Sequence, residues 1–109
     1  MANLWKLQMK AIKSRFEFFV ENNDKISALK TYKNAESFLA EHIEGSSSFF
    51  QRKAAKSLRK KYAPKMLKKL IKKGWIDIDK KDLDVMPLSV ILEYVDKELE
   101  EESAPTSQD

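Results

Sequence analysis

Between Arg52 and Lys73 the chain places Arg52, Lys53, Lys56, Arg59, Lys60, Lys61, Lys65, Lys68, Lys69, Lys72 and Lys73 without one Asp or Glu. Eleven cations within 22 residues repel one another, so keeping them calls for an anionic partner or an acidic surface of the protein's own. Lysine ammonium groups act as point charges on phosphate oxygens, which gives nucleic-acid affinity that is salt-dependent and largely blind to sequence. Reading bases draws on Arg, Asn and Gln, and this run offers only Gln51, Arg52 and Arg59 beside its lysines. The first functional expectation is therefore a phosphate-binding surface for DNA or RNA. It uses Arg52, Lys53, Lys56, Arg59, Lys60, Lys65, Lys68, Lys69, Lys72 and Lys73.

The opposite charge lies downstream. Residues 77–109 hold eleven acids against Lys80, Lys81 and Lys97, so a whole-chain charge of +4 conceals a polarised molecule. A second expectation follows, in which the acidic C-terminal helix docks on the basic run and neutralises it. The protein is then a helical-bundle interaction module, an inhibitor, immunity or adaptor protein, or it takes an acidic protein partner. In size, charge and helix count the chain is similar to small cytoplasmic bacteriocin immunity proteins. A third expectation is a membrane surface, because residues 65–75 combine a lysine side, an apolar side and a terminal Trp.

Catalytic chemistry has little to work with. There is no Cys, one His (His42) and two glycines, which leaves no nucleophile–base pair and no phosphate-cradling loop. Asp77, Asp79, Asp82 and Asp84 form a carboxylate cluster. A calcium loop would need glycine where Asp82 stands and a bidentate Glu where Leu88 stands, so a solvated acidic turn is the expectation. The protein is read as non-enzymatic, without metal or cofactor.

These residues need elements to hold them, and the composition favours helices: Lys, Leu, Ala and Glu abound, while three prolines and two glycines leave few tight turns. Trp5, Met9, Ile12, Phe16 and Phe19, widened by Leu4, Ala11 and Val20, predict an amphipathic helix over about residues 3–21. It reads either as the central helix of a bundle or as a homodimer surface, and Leu7 and Phe18 outside the stripe point to cover on a second side. A second helix spans about 25–43, facing inward with Leu29, Tyr32, Ala35, Leu39 and Ile43. Asp24 is its candidate N-cap and Gly45 its C-cap.

Ser48 and Gln51 match a capping box opening a third helix, whose inward face is Phe50, Ala54, Ala55, Leu58 and Tyr62. Pro64 then predicts a junction and a fourth helix over 64–73 that buries Met66, Leu67, Leu70 and Ile71, making the basic run a hairpin. Of the aromatics beside it, Phe50, Tyr62 and Trp75 are assigned to the core. Phe49 is left as the ring free to stack on a single-stranded base.

After Gly74, the alternation Trp75-Ile76-Asp77-Ile78-Asp79 predicts a short extended segment or hairpin, and Leu88, Ile91, Leu92, Val95 and Leu99 a last helix ending near Glu102. The fold expected is thus mainly α, one small domain of about five helices over 1–102 with a disordered acidic tail over 103–109. The absence of a signal-like or spanning apolar run makes the cytoplasm the default location. From Phe49 through Ile78 the chain resembles the core of a winged helix-turn-helix domain: a helix with Ala55 and Leu58, a turn, a helix ending Leu70-Ile71-Lys72-Lys73-Gly74, then Trp75-Ile76. That resemblance implies residues 64–73 in the major groove and a wing over about 79–83 near the DNA backbone.

Overall fold

The computed structural model describes residues 4–45 and 48–103. It contains five helices, and no strand among the described residues: α1 (Leu4–Glu21), α2 (Lys25–Glu44), α3 (Phe49–Lys72), α4 (Lys80–Leu83) and α5 (Leu88–Ser103). The mainly α class is as the composition predicts. Of the expected tail only Ser103 falls within the described residues, as the last residue of α5.

The centre of the bundle is α2, which packs against α1, α3 and α5. That role was one expectation for α1, but α2 is the helix that touches all three of the others, with Ala28, Leu29, Tyr32, Ala35 and Leu39 all buried. From α1 come Met9 and Phe16, from α3 Ala55, Met66 and Leu70, and from α5 Ile91 and Val95. Removing such a side chain from water contributes on the order of 1.5–3 kcal/mol. Leu7 and Phe18, expected to find cover, are 61 and 59% exposed.

The helix ends follow from local chemistry. Asp24 caps α2 by accepting the Ser27 N–H at 3.2 Å, and Ser48 caps α3 by accepting the Gln51 N–H at 3.3 Å. Both α1 and α3 terminate in a Schellman turn. In α1 the Asp24 and Asn23 N–H groups donate to the Phe19 and Val20 carbonyls, with Asn23 at φ 56°. In α3 the Trp75 and Gly74 N–H groups donate to the Leu70 and Ile71 carbonyls, with Gly74 at φ 77°. The side chain of Lys73 donates to that of Asn23, so the two turns lie side by side and α1 and α3 point the same way.

The expected hairpin is corrected to one continuous helix, with Pro64 inside α3. A proline there removes one backbone hydrogen bond and crowds the preceding turn, at a cost of about 3 kcal/mol. Tyr62, Ala63, Met66, Leu67 and Leu70 are buried on either side of it, and that burial holds both halves of the helix in line against α2. Past Gly74, Ile76 and Ile78 are buried while Asp77 and Asp79 are exposed, so the alternation holds without a strand. The winged helix-turn-helix resemblance fails on both counts: its two helices are one, and its wing is the short helix α4.

Candidate nucleic-acid interface

An α-helix turns about 100° per residue, so the 24 residues of α3 sort ten of the eleven cations by side, and Lys73 follows as the C-cap. Tyr62, Met66 and Leu70 mark the buried side. Lys53, Lys56, Lys60, Lys61, Lys65, Lys68, Lys69, Lys72 and Lys73 are all exposed, and Arg52 and Arg59 are half-buried.

Several of these cations are engaged within the chain. Arg59 donates Nε–H to Glu36 Oε1 at 2.9 Å, and Lys69 reaches Glu17 Oε2 at 3.0 Å. Lys73 binds Asn23 and lies 5.3 Å from the Trp75 ring centroid, while Lys61 lies 5.4 Å from that of Tyr62. Arg52 also has a partner. Among the described residues the side chains of Lys53, Lys56, Lys60, Lys65, Lys68 and Lys72 make no ion pair, hydrogen bond or ring contact. Helical geometry spreads these six over roughly half the circumference and about 29 Å of length. That length spans about eight phosphate steps along one strand of a duplex.

The acidic helix does not answer them. Glu98 of α5 pairs with Lys25 at 2.9 Å and Asp96 with Lys33 at 2.6 Å, both on α2. No ion pair joins α5 to residues 52–73 among the described residues. The expected docking of acid on base is thus redirected: the apolar stripe that includes Ile91 and Val95 seats α5 on α2, and Asp96 and Glu98 meet the lysines they find there. The interfacial-helix expectation fails for a related reason, since Met66, Leu67 and Leu70 face the core. No described helix is long and apolar enough to cross a membrane.

Electrostatic neighbours set the behaviour of two further groups. Hydrogen bonding from Lys69, helped by Lys13, holds the Glu17 carboxyl below its ordinary range. Burial, reinforced by the Glu36 charge, pushes the Tyr32 phenol up, so it remains a donor, giving its proton to Glu36 Oε2 at 2.7 Å. His42 is seated by its Nδ1 contact to the Phe38 carbonyl at 2.9 Å and by the Phe38 ring. In the acidic turn Asp79 caps α4, accepting the Lys81 N–H at 3.3 Å. No three carboxylate or imidazole groups among the described residues are placed to hold a metal ion.

Two features were not foreseen. Phe50 was assigned to the core but is 80% exposed, more than Phe49 at 62%, and the two rings meet edge to face at 5.8 Å. Glu36, 2% exposed, is the buried acid at the α2–α3 interface. Its signal lies in the sequence: Leu29, Tyr32, Glu36, Leu39 and Ile43 follow helical spacing, so a carboxylate occupies a position on the apolar stripe. Comparison with protein-family models, curated proteins and solved structures returns no match for this chain.

Proposed function

We propose that this protein binds nucleic acid through the exposed side of α3, with lysines contacting phosphate. The observation that carries the reading is the set of six unengaged lysines on one helix, while the two acids of α5 that form ion pairs among the described residues, Asp96 and Glu98, pair with α2. A set of lysines without neutralising neighbours keeps its self-repulsion until an anion relieves it, and a phosphate backbone supplies anions at matching intervals. Arg52, Arg59, Lys69 and Lys73 belong to the same sequence run but have partners within the chain, so Lys53, Lys56, Lys60, Lys65, Lys68 and Lys72 carry the main contacts. Lysine-dominated contact favours binding without sequence preference.

The test is fluorescence anisotropy with labelled duplex DNA, single-stranded DNA and RNA between about 50 and 200 mM salt, where phosphate-driven affinity falls steeply. The expected result is a linear log–log decline, with binding abolished by Lys68→Glu combined with Lys72→Glu. Absence of binding at low salt would redirect the lysines to an acidic protein partner.

A second reading has its own observation. Leu7 and Phe18 are exposed on α1, and at eleven residues apart they share a side of the helix. That strip supports a homodimer through α1, which sedimentation of the wild type against Phe18→Glu would test.

A further inference from the structure

Along the flank of α3 a cleft of about 250 Å³ opens between α2, α3 and the α4–α5 corner. Ala63, Leu67, Leu83 and Ile91 make it mostly apolar, and Tyr32 and Glu36 form part of its wall. Lys60, Lys68, Arg59 and Asp84 supply its other charges. The outer row of lysines does not account for this arrangement.

Three details bear on what the cleft holds. Arg59 engages Glu36 through Nε alone, so among the described residues its two terminal amino groups have no acceptor, on a side chain that lines the cleft. A guanidinium anchored in this way presents a fork that matches the two oxygens of a carboxylate or phosphate. Lys60 and Lys68 add two ammonium groups without ion-pair partners among the described residues. The charge of Glu36 is offset by Arg59, so that pair is close to neutral as a whole: Arg59 contributes directed donors, and the excess positive charge of the cleft comes from Lys60 and Lys68. Only Asp84, exposed, carries negative charge that is not answered by a neighbour in the wall.

A buried ion pair contributes little to stability compared with an apolar replacement. Holding a guanidinium at a fixed angle beside an apolar cleft gives this one a use. We infer that the cleft between α2, α3 and α4 is a binding site for a small organic anion, with one carboxylate or phosphate group on a single ring or short chain. The anionic group lies between Arg59, Lys60 and Lys68, and the apolar body lies on Leu67, Leu83 and Ile91. The volume is below the roughly 300–1,000 Å³ of clefts that take drug-sized ligands, which limits the ligand to a compact body. The inference does not depend on nucleic-acid binding.

Phenyl phosphate and phenylacetate, with benzyl alcohol as the uncharged control, are titrated into the isotope-labelled full chain and followed by NMR. Both anions are expected to give saturable shifts centred on the Leu67, Leu83 and Ile91 methyls, and benzyl alcohol none. Lys60→Gln combined with Lys68→Gln, both at exposed positions, should weaken binding at least five-fold, and Arg59→Lys should do the same by removing the fork. Shifts that fail to saturate, that benzyl alcohol reproduces, or that persist unchanged in the folded Lys60→Gln/Lys68→Gln variant would overturn the site. Lys53 and Lys72 lie outside the cleft, so loss of nucleic-acid binding on changing them alone would not touch this result.

Discussion

Glu36 Oε1 accepts from Arg59 Nε at 2.9 Å across the α2–α3 interface, and Oε2 of the same carboxylate accepts the Tyr32 hydroxyl at 2.7 Å. This is a fully partnered buried acid in a core that is otherwise almost entirely apolar. Breaking a buried pair from one side leaves the other group unanswered, at about 3–5 kcal/mol when both partners are inaccessible. The Arg59 side chain is 37% exposed and regains water, so Glu36→Ala is expected to cost about 2–3 kcal/mol. Tyr32→Phe removes one donor and should cost about 1–2 kcal/mol. Urea unfolding measures both, and a loss under about 0.5 kcal/mol for Glu36→Ala would show that the network does not hold α2 to α3.

Pro64 makes the opposite case, a residue that weakens the helix it sits in. Its ring is exposed, and its missing N–H leaves the Lys60 carbonyl without a donor four residues on. Pro64→Ala should restore that bond and stabilise the fold by about 1–3 kcal/mol. Thermal unfolding checks the sign, and a lower melting temperature would mean that the proline ring itself packs to advantage.

How the sequence misleads on α3 is instructive. Proline reads as a break because local propensity weighs one residue at a time, whereas the helix continues through the burial of Ala63, Met66, Leu67 and Leu70 against a neighbour that no local pattern reveals. Phe50 was misplaced by arithmetic. Phe50, Ala54, Leu58 and Tyr62 are spaced by four, and each step of four overshoots a 3.6-residue turn by about 40°. Over three steps the face rotates by roughly a third of the circumference, so Tyr62 is 6% exposed, Ala54 and Leu58 are intermediate, and Phe50 is 80% exposed. By contrast α1, α2 and α5 mix steps of three and four and keep their stripes aligned, and the start of α2 was legible from Asp24. The lysines were legible as a run. Which of them are engaged was not, because Glu17 and Glu36 come from other helices.

Gly74 tests the termination of α3. At φ 77° it adopts a conformation that side chains disfavour, yet an added Cβ would meet nothing within 4 Å. The cost of Gly74→Ala is therefore one of backbone conformation alone, about 1–2 kcal/mol. Gly74→Asn should cost less, since Asn tolerates this region, as Asn23 does at the end of α1. Equal losses for Ala and Asn would contradict the Schellman assignment.

Glu17 predicts a pH dependence. Hydrogen bonding from Lys69, helped by Lys13, holds its folded-state pKa below the ordinary Glu value of 4.5. A group whose pKa is depressed by folding contributes stability above its unfolded pKa and loses it as pH falls through the folded one. The contribution of this pair should thus be complete at neutral pH and fade below about pH 4.5, the ordinary Glu value. Side-chain NMR titration should find the Glu17 midpoint below that of a free Glu, and Lys69→Gln should raise it. A midpoint unmoved by Lys69→Gln would mean that the pair does not persist in solution.

Adjacent lysines give the sharpest test of the proposed interface. Lys68 is unengaged among the described residues, whereas Lys69 is held by Glu17 at 3.0 Å. Both are exposed and carry the same charge, so a general dependence on net charge predicts equal losses of nucleic-acid affinity for Lys68→Gln and Lys69→Gln. A surface built from the unengaged lysines predicts unequal ones. Neutralising Lys68 should remove about one phosphate contact and reduce the duplex salt slope by about 0.9, while neutralising Lys69 should leave the slope nearly unchanged. Anisotropy titrations at four or more salt concentrations resolve that difference. Identical slopes for the two variants would mean that binding, where it occurs, follows overall charge rather than this side of α3.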